Sequence, residues 1–515
     1  MSRGADLAES EPVATAGQQA PTSRAHVPIS TKLFFSMGGA AEGSVNWAFS
    51  GFNFIIYTIG FGLPGTLAGL AVSLSIIFDA VSDPLVGFIS DRWQSTLGRR
   101  HPFIYLAALP LGATIFCIYV PPPILLQAGT ESWSFLGYSA SPSQWALAAW
   151  LFVFASLMKL FLTCYHLPHL ALGAELTDDY LERTRLFRYN TLFSFGGGAA
   201  LAWCFYNVFY PNGPYLHMGT TVFAGSVALF GAVVIFLTAF LTRDQIPNLP
   251  KAPPGQPPFS WGEFGHQALL VFRNRNYLML FLGLLFLSPM IGVRETLNAN
   301  MGLYYWELPP RLLGYLPLVS MSSYFVSMAL VAYLNARFEK GGTMRGAVLL
   351  ALAAAALPVT FRSLGWLPEN GSPWIIFIVG ASVFFYYGSL AALTTSVYSA
   401  IGDVVDEHEL HSGQRQEGIF YAVRTFFAKM SNALGHLLAG IAIDVIGFPA
   451  GAVIGEVDPA VIYQLGVFEG IIATLPVLGA VYFYGRYKID KQRHGEILQQ
   501  LQARRLQGPG QAPDA

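Results

Sequence analysis

Charge is what this chain most lacks. Only 11% of its 515 residues are charged, against about 25% in an ordinary soluble domain. Basic and acidic residues nearly cancel, with a formal net charge of −1, so nothing in the composition favours a nucleic-acid partner. The three cysteines, Cys117, Cys164 and Cys204, lie in apolar runs without paired spacing. That pattern argues against a disulfide framework and against a cysteine metal site.

Long apolar runs dominate instead. Hydrophobic residues make up 53% of the chain, and many runs exceed the roughly 18 residues that a membrane-spanning helix needs. We predict an all-α integral membrane protein with twelve spans. The first six cover residues 34–60, 67–92, 102–120, 145–173, 186–209 and 221–241, and the last six begin near residues 276, 312, 344, 373, 418 and 461.

Polar segments divide these spans into two bundles. Residues 1–30 lack the ordered regions of a signal peptide and predict a disordered tail. The first bundle covers 31–244 and the second 276–487. Between them, the Pro-rich linker 245–275 ends in a predicted amphipathic surface helix with Trp261, Phe264, Ala268 and Val271 at helical spacing. Residues 488–515 predict a polar tail.

Basic residues are distributed unevenly between the two sides of the predicted membrane. Among the loops of one side, only Arg311 and Arg362 are basic, whereas many arginines and lysines, from Arg92 to Arg345, fall on the other. The positive-inside rule therefore predicts that the second side is cytosolic and that both termini lie there. The two halves also repeat, because ALGAELTDDYLERTR after span 4 is echoed by AIGDVVDEHELHSGQR after span 10.

Two carboxylates interrupt the apolar run of span 2. Asp79 and Asp83 are four residues apart, so they share one helix face about a turn from each other. Two negative charges at membrane depth require a cation between them or a proton on one of them. The pair therefore predicts the ion site of a cation-coupled transporter.

Several motifs resemble a known family. SDRWQSTLGRRHP resembles the loop-two signature of the major facilitator superfamily, whose members are built from six plus six spans. FDAVSDPLVG, CYHLPHLALGAELTDDYLERTR and GQRQEGIFYAVRTFFAK resemble the branch that holds the glycoside–pentoside–hexuronide:cation symporters and the sodium-dependent lysophospholipid symporters. The resemblance implies alternating-access symport with a substrate site between the halves.

The same resemblance assigns the cation site. It implies that Asp79 and Asp83 bind the coupling ion, sodium or a proton, with Ser82 and Thr163 as further ligands and Lys429 as the link to the substrate. The physical chemistry agrees, since hard cations take oxygen ligands. A lysine ammonium at membrane depth needs an anionic partner when the cation is absent. No other cofactor is expected.

The substrate residues depart from the sugar permeases of this branch. His166 stands where those permeases have an aspartate, Leu170 replaces an aromatic residue, and Glu42–Gly43 replaces a lysine–aspartate pair. Span 4 instead resembles the lysolipid symporters, which implies a lysophospholipid-like amphiphile; a glycoside is the alternative. The predicted substrate-binding residues are Glu42, His166, Arg188, Arg294, Glu295 and Arg424.

Arg294 and Glu295 interrupt the apolar run of span 7. We expect them to face Arg188 and to suit a zwitterionic headgroup, although they could equally mark the outer end of the helix. Lys159 in span 4 matches no motif, and a structural ion pair explains it at least as well as a function.

Charged loops on the predicted cytosolic side form the expected gate. Its members are Asp91, Arg92, Arg99, Arg100, Asp403, Asp406 and Arg415. GDVVDEHELH could suggest a metal site, but an ion-pair network of this segment with Arg415 and the arginines of the other half fits its place in the repeat better.

No catalytic motif is found in the sequence, neither GxSxG nor HExxH, so we expect a transporter rather than an enzyme. A membrane-embedded enzyme or a non-transporting sensor is the alternative of another class. We expect a monomer in the plasma membrane, as in a bacterial inner membrane, with the lipid bilayer and a small-molecule or lysolipid substrate as its partners.

Overall fold

The computed structural model describes residues 27–127, 132–135, 138–211, 217–250, 260–413 and 415–506. Within these ranges the chain is almost entirely helical, and its two strands, Trp133–Phe135 and Tyr138–Ala140, pair as an antiparallel hairpin between spans 3 and 4. The predicted N-terminal tail lies outside the described residues up to residue 26, and Ile29 begins the first helix.

The N-terminal half contains six spans. Span 1 is composite, since its α-helix is interrupted by two π-helical segments before the span ends at Gly60. The bounds are Ile29–Trp47 with Ala48–Phe52, Asn53–Ile55 and Ile56–Gly60 for span 1, Gly65–Arg92 for span 2, His101–Tyr119 for span 3, Pro142–Glu175 for span 4, Tyr180–Cys204 with Phe205–Phe209 for span 5, and His217–Thr242 for span 6. Short 3-10 turns follow spans 3 and 6, at Pro123–Leu126 and Arg243–Asn248.

The C-terminal half contains the other six. The bounds are Arg275–Asn300 with Met301–Tyr305 for span 7, Pro310–Leu313 and Leu316–Ser363 for spans 8 and 9, Pro373–Ser412 for span 10, Glu417–Val445 for span 11, and Pro459–Gly470, Ile472–Thr474 and Val477–Tyr484 for span 12. Spans 8 and 9 read as one helix, but Glu339 has φ 61° and ψ 164°, so the chain turns there.

Length and composition support the predicted number of spans. In the described ranges, ten helices are long and apolar enough to cross a membrane, and Pro310–Ser363 counts as one of them although it turns at Glu339. Span 1 lies outside those ten and packs along spans 5 and 6. The all-α architecture of twelve spans is therefore confirmed.

Small residues let the two halves approach closely where spans 2 and 11 cross. A Cβ atom on Gly69 would lie 2.7 Å from the carbonyl oxygen of His436, and one on Gly65 would lie 2.6 Å from that of Gly440. Glycine at these positions allows backbone-to-backbone contact, as is usual between membrane helices. The crossing fixes span 2, and with it Asp79, against the second half.

Two helices lie outside the bundles. The predicted surface helix is present as Trp261–Val271, and Val271 is buried against the second half; the side chain of Phe264 lies outside the described set. Residues 488–515 were expected to be only a polar tail, but Lys491–Leu506 forms a helix. Ile497 and Leu501 of this terminal helix are buried in the core of the second half.

The halves meet on one side of the molecule. We call the side that carries Arg99, Arg183, Arg337 and Arg415 the basic side. Hydrogen bonds and ion pairs between described residues of the two halves lie at mid depth or on the opposite side. The protein is therefore in a conformation closed on the side opposite the basic side.

Asp444, at the end of span 11, makes the main polar contact of that closure. Its two carboxylate oxygens accept the backbone N–H groups of Gly65 and Thr66 at 2.7 and 2.8 Å, at the start of span 2. The hydroxyl of Tyr138, from the hairpin, donates to the same carboxylate at 2.9 Å. Burial, and then the adjacent carboxylate, raise the pKa of Tyr138, so its hydroxyl remains a hydrogen-bond donor at neutral pH.

Candidate functional site

The carboxylate pair of span 2 lies at the centre of a four-residue cluster. The ammonium of Lys429, from span 11, is 2.8 Å from Asp79 Oδ2 and 2.5 Å from Asp83 Oδ2. The hydroxyl of Thr163, from span 4, is 3.0 and 2.9 Å from the Oδ1 atoms of the same two residues. Three helices from both halves therefore converge on one pair of acids.

The cluster has a simple charge balance. With both acids ionised, two negative charges face one ammonium, so a single negative charge is left over. Asp79 and Thr163 are buried, and an uncompensated charge is costly in such surroundings. The arrangement therefore favours one additional monovalent cation or one proton.

Ser82 does not join the cluster. Its hydroxyl donates to the backbone carbonyl of Asp79 at 3.1 Å, within its own helix. Adjacent positions on a helix point about 100° apart, which turns Ser82 away from the face that Asp83 occupies. The structure therefore does not bring the Ser82 hydroxyl to the carboxylates, contrary to the expectation from the resemblance.

Glu42 and His166 form a second polar contact inside the N-terminal half. The Nδ1 atom of His166 is 3.0 Å from Glu42 Oε1, which joins spans 1 and 4. His169, one turn further along span 4, stacks on Phe35 and contacts the Phe35 carbonyl at 2.9 Å. His169 is fully buried whereas the side chain of His166 is partly exposed, so only His166 is accessible to a ligand.

Arg294 is held within its own half. Its guanidinium is 2.8 Å from the buried carboxylate of Glu469 in span 12 and lies 4.5 Å from the centre of the Tyr386 ring. The expectation that it faces Arg188 is wrong. Arg188 is exposed. Spans 5 and 7, which carry the two arginines, both start on the basic side, so Arg188 lies about 16 Å closer to that side than Arg294 does.

Glu295 points in a different direction from its neighbour. Its carboxylate is 3.4 Å from the amide nitrogen of Asn432 and 3.7 Å from His436 Nε2, both on span 11. The roughly 100° between adjacent helical residues explains this divergence. Glu295 therefore faces the space between the halves, whereas Arg294 faces a small cavity of about 40 Å³ inside the second half.

A central cavity of about 370 Å³ lies between the halves. Apolar side chains of spans 1, 2, 7 and 10 supply much of its wall, including Phe49 and Leu287. Its charged residues are Asp79, Lys159, Glu295, Arg424 and Lys429. The cavity therefore combines an apolar wall with charges of both signs.

Two basic residues of this cavity contact aromatic rings. The Arg424 guanidinium lies 4.4 Å from the Tyr398 ring centre, and the Lys159 ammonium lies 4.9 Å from the Phe49 ring centre. Lys159 was not among the predicted site residues, and its only signal in the sequence is its position deep inside an apolar run. The structure places it in the cavity wall.

Predicted gate residues of the N-terminal half form an ion-pair network on the basic side. Arg99 and Arg100 both contact Glu175 Oε1, at 2.8 and 2.9 Å, and Arg100 also contacts Asp91 at 2.6 Å. The Arg92 guanidinium lies 3.4 Å from the Phe88 ring centre. Asp91, Arg99 and Arg100 are thus joined through the unpredicted Glu175, whereas Arg92 packs on Phe88 of its own helix.

A second network lies in the C-terminal half. Lys340 contacts Asp403 at 2.6 Å and Arg415 contacts Asp406 at 3.0 Å. His494, from the terminal helix, is 3.1 Å from Asp406. Arg415 thus pairs with the acidic segment of its own half, as expected. The structure shows no ion pair between described residues of that segment and the arginines of the other half, because the halves do not meet on the basic side in this conformation.

Comparison with known proteins places the chain among transporters. The sequence profile of the family described as MFS/sugar transport protein matches residues 34–491. A Synechocystis sp. protein described as an uncharacterized symporter is 27% identical, covering 86% of this chain and 91% of its own. The sodium-dependent lysophosphatidylcholine symporter 1-A of Danio rerio is 24% identical, covering 92% of this chain and 88% of its own. The putative glycoside/cation symporter YagG of Escherichia coli is 21% identical, covering 94% of this chain and 97% of its own.

Solved structures share the fold. The inward open conformation of the xylose transporter XylE from E. coli matches with a TM-score of 0.58 at 12% identity, covering 92% of this chain and 99% of that chain. This match supports the architecture of two six-helix bundles. Since the family profile covers most of the sequence, this multi-pass membrane protein belongs to the MFS/sugar transport protein family of the major facilitator superfamily.

Proposed function

We propose that this protein is a cation-coupled symporter that works by alternating access, with sodium as the favoured ion and a proton as the alternative. One observation carries the proposal: Lys429 of one half occupies the carboxylate pair of the other. The cluster that it completes still has a surplus negative charge, and its carboxylate and hydroxyl groups are hard oxygen ligands of the kind that sodium prefers.

Asp79, Asp83 and Thr163 would hold the ion. The Lys429 ammonium already contacts both carboxylates, so an entering cation competes with it. Release of Lys429 removes an ion pair between the halves and so biases the equilibrium between two conformations of the protein. Lys429 is therefore the proposed coupling residue.

The proposed orientation follows from the charges of the loops. The positive-inside rule makes the basic side cytosolic, which puts both termini inside and makes this conformation inward-facing. The networks around Glu175 and Asp403 would then form the cytosolic gate when the halves come together. We further propose a monomer in the inner membrane of a bacterium, with no enzymatic activity.

For the substrate we propose a lysophospholipid-like amphiphile. The support is the combination of an apolar wall with charges of both signs in one cavity, together with similarity to a relative described as a lysophosphatidylcholine symporter. A glycoside is the second candidate, favoured by the family description and by a relative described as a glycoside/cation symporter. Glu42 and His166 would contribute polar contacts in either case.

The test is sodium-dependent stabilisation and uptake. Because ligand binding stabilises the native state, sodium should raise the unfolding temperature of the wild-type protein, and potassium should not. Asp83→Asn keeps the side-chain shape and removes the charge, so we expect it to abolish both this protection and sodium-driven uptake of lysophosphatidylcholine into proteoliposomes.

Glu369→Gln is the matched control, since Glu369 is an exposed carboxylate outside the spans. It should behave like the wild-type protein. Sodium-dependent protection and accumulation by Asp83→Asn at the wild-type level would contradict the proposed ion site. Protection by a nitrophenyl glycoside but not by lysophosphatidylcholine would select the second candidate substrate.

A further inference from the structure

Lys159 is a charged residue of the cavity that the proposed mechanism leaves without a role. It lies on span 4, four residues before Thr163, so it shares a helix face with that residue. It is about 6 Å further from the basic side than Thr163. Its ammonium therefore lies just beyond the cation cluster, towards the closed end of the cavity.

Neither an ion pair nor contact with a membrane surface explains the position of Lys159. Among the described residues, no carboxylate lies within 4.0 Å of its ammonium, although such contacts are found for Lys32, Lys340 and Lys429. It cannot reach a membrane surface either, since it is about 25 Å from each end of span 4. The structural ion pair that was the alternative explanation for Lys159 is therefore not found among the described residues.

The Phe49 ring offers Lys159 only part of what a charge needs. The ammonium lies 4.9 Å from the ring centre, within the range of a cation–π interaction. Such a contact does not supply a counter-charge, and an ammonium at membrane depth without one is costly. A ligand that brings a negative charge would remove that cost.

Sodium binding makes the need for an anion stronger. Before it binds, the single negative charge left over in the cluster of Asp79, Asp83 and Lys429 partly offsets the charge of Lys159 from beyond ion-pair distance. A sodium ion neutralises that surplus charge and leaves Lys159 without it. Glu295 also attracts the Lys159 ammonium, but its carboxylate lies beyond ion-pair distance and contacts Asn432 and His436 instead.

We infer that Lys159 binds an anionic group of the transported substrate, a phosphate, sulfonate or carboxylate that carries one negative charge. The inference rests on the proposed function, because it is the co-transported ion that neutralises the negative charge facing Lys159. It also explains coupling in electrostatic terms, since each ligand lowers the cost of binding the other. A substrate without an anionic group would leave Lys159 in the sodium-bound cavity without a counter-charge.

The test uses two ligand pairs on protein in lipid nanodiscs; in each pair the member called charged carries an anionic group, which its neutral partner lacks. One pair is oleoyl-lysophosphatidylcholine and monoolein, and the other is p-nitrophenyl glucuronide and p-nitrophenyl glucoside. The readout is the concentration of each ligand that gives half-maximal thermal protection, in sodium and in potassium. We expect sodium-dependent protection by the charged member of at least one pair, well above that by its neutral partner.

Three variants separate the role of Lys159 from general effects on folding. Lys159→Met should weaken binding of the charged ligand about tenfold or more, which is the usual effect of losing a charge-assisted hydrogen bond. Lys159→Arg retains the charge and should restore most of the affinity. Lys488→Met removes an exposed lysine outside the spans and should behave like the wild-type protein.

Thermal protection by sodium alone, without a substrate, distinguishes this role of Lys159 from a structural one. Because Lys159→Met removes a positive charge next to the ion site, sodium should protect this variant at lower concentrations than it protects the wild-type protein. Equal protection by both members of each pair, or unchanged binding of the charged ligand by Lys159→Met, would overturn the inference alone. Absence of sodium protection in the wild-type protein would instead overturn the proposed function, and the inference with it.

Discussion

Asp444→Asn should open the side of the protein that is closed in this conformation. Asp444 joins the end of span 11 to the start of span 2 by accepting the N–H groups of Gly65 and Thr66 at 2.7 and 2.8 Å. Both N–H groups belong to the first turn of span 2, where they have no hydrogen-bond partner within the helix. The helix dipole also favours a negative charge at this position. Asparagine keeps the size of the side chain but loses the charge and one acceptor oxygen.

The magnitude follows from these contacts. A hydrogen bond to a charged group contributes about 1.5–3 kcal/mol, and these bonds are only partly buried. We therefore expect the substitution to disfavour the closed arrangement by about 2 kcal/mol, which corresponds to a shift of about 30-fold in the equilibrium between closed and open forms.

The assay is a distance measurement across the closure. Spin labels at positions 124 and 453, which are exposed residues of the two halves, report the separation by double electron–electron resonance in a cysteine-free background. Asp444→Asn should add a population at longer distance. Asp458→Asn is the matched control, because Asp458 accepts the N–H of Ala460 at 2.8 Å within its own half. A distance distribution for Asp444→Asn that coincides with the control would refute this role of Asp444.

Two further substitutions test the C-terminal half. Glu469→Ala leaves the largely buried Arg294 without its partner, so we expect a loss of about 3 kcal/mol in the free energy of unfolding. The double variant Arg294→Met with Glu469→Leu should recover most of that loss. Equal thermal stability of Glu469→Ala and the wild-type protein would contradict the ion pair. Tyr487→Phe removes the hydroxyl that donates to Asp403 at 3.0 Å and should lower the stability of the terminal helix against the bundle by about 1 kcal/mol. Earlier proteolysis of the terminal helix would detect this loss. Unchanged proteolysis would argue against the anchoring of the helix by Tyr487.

Local spacing and family resemblance anticipated the cation cluster well. Asp79 and Asp83 share a face because they are one turn apart, and the motifs that carry Thr163 and Lys429 supplied their partners. Ser82 was misplaced because a position next to an important residue in sequence points elsewhere on a helix. The position alone could not show where its hydroxyl donates.

Long-range partners were beyond the reach of the sequence. Glu469 pairs with Arg294 from a span that shows no charged motif, and Asp444 contacts a helix start in the other half. The terminal helix was missed because its polar composition hides the few residues, such as Ile497 and Leu501, that pack on the bundle. Such contacts depend on how distant helices are arranged, which no local pattern encodes.

The central claim is that a cation displaces Lys429 from Asp79 and Asp83. It can be measured directly as the rate at which an amine-acylating reagent modifies Lys429, quantified by mass spectrometry, with exposed Lys488 as the internal reference. In potassium, the Lys429 ammonium is held against both carboxylates, so modification should be slow. Sodium should increase the rate at Lys429 several-fold and leave that at Lys488 unchanged, whereas equal rates at Lys429 in sodium and potassium would contradict the claim.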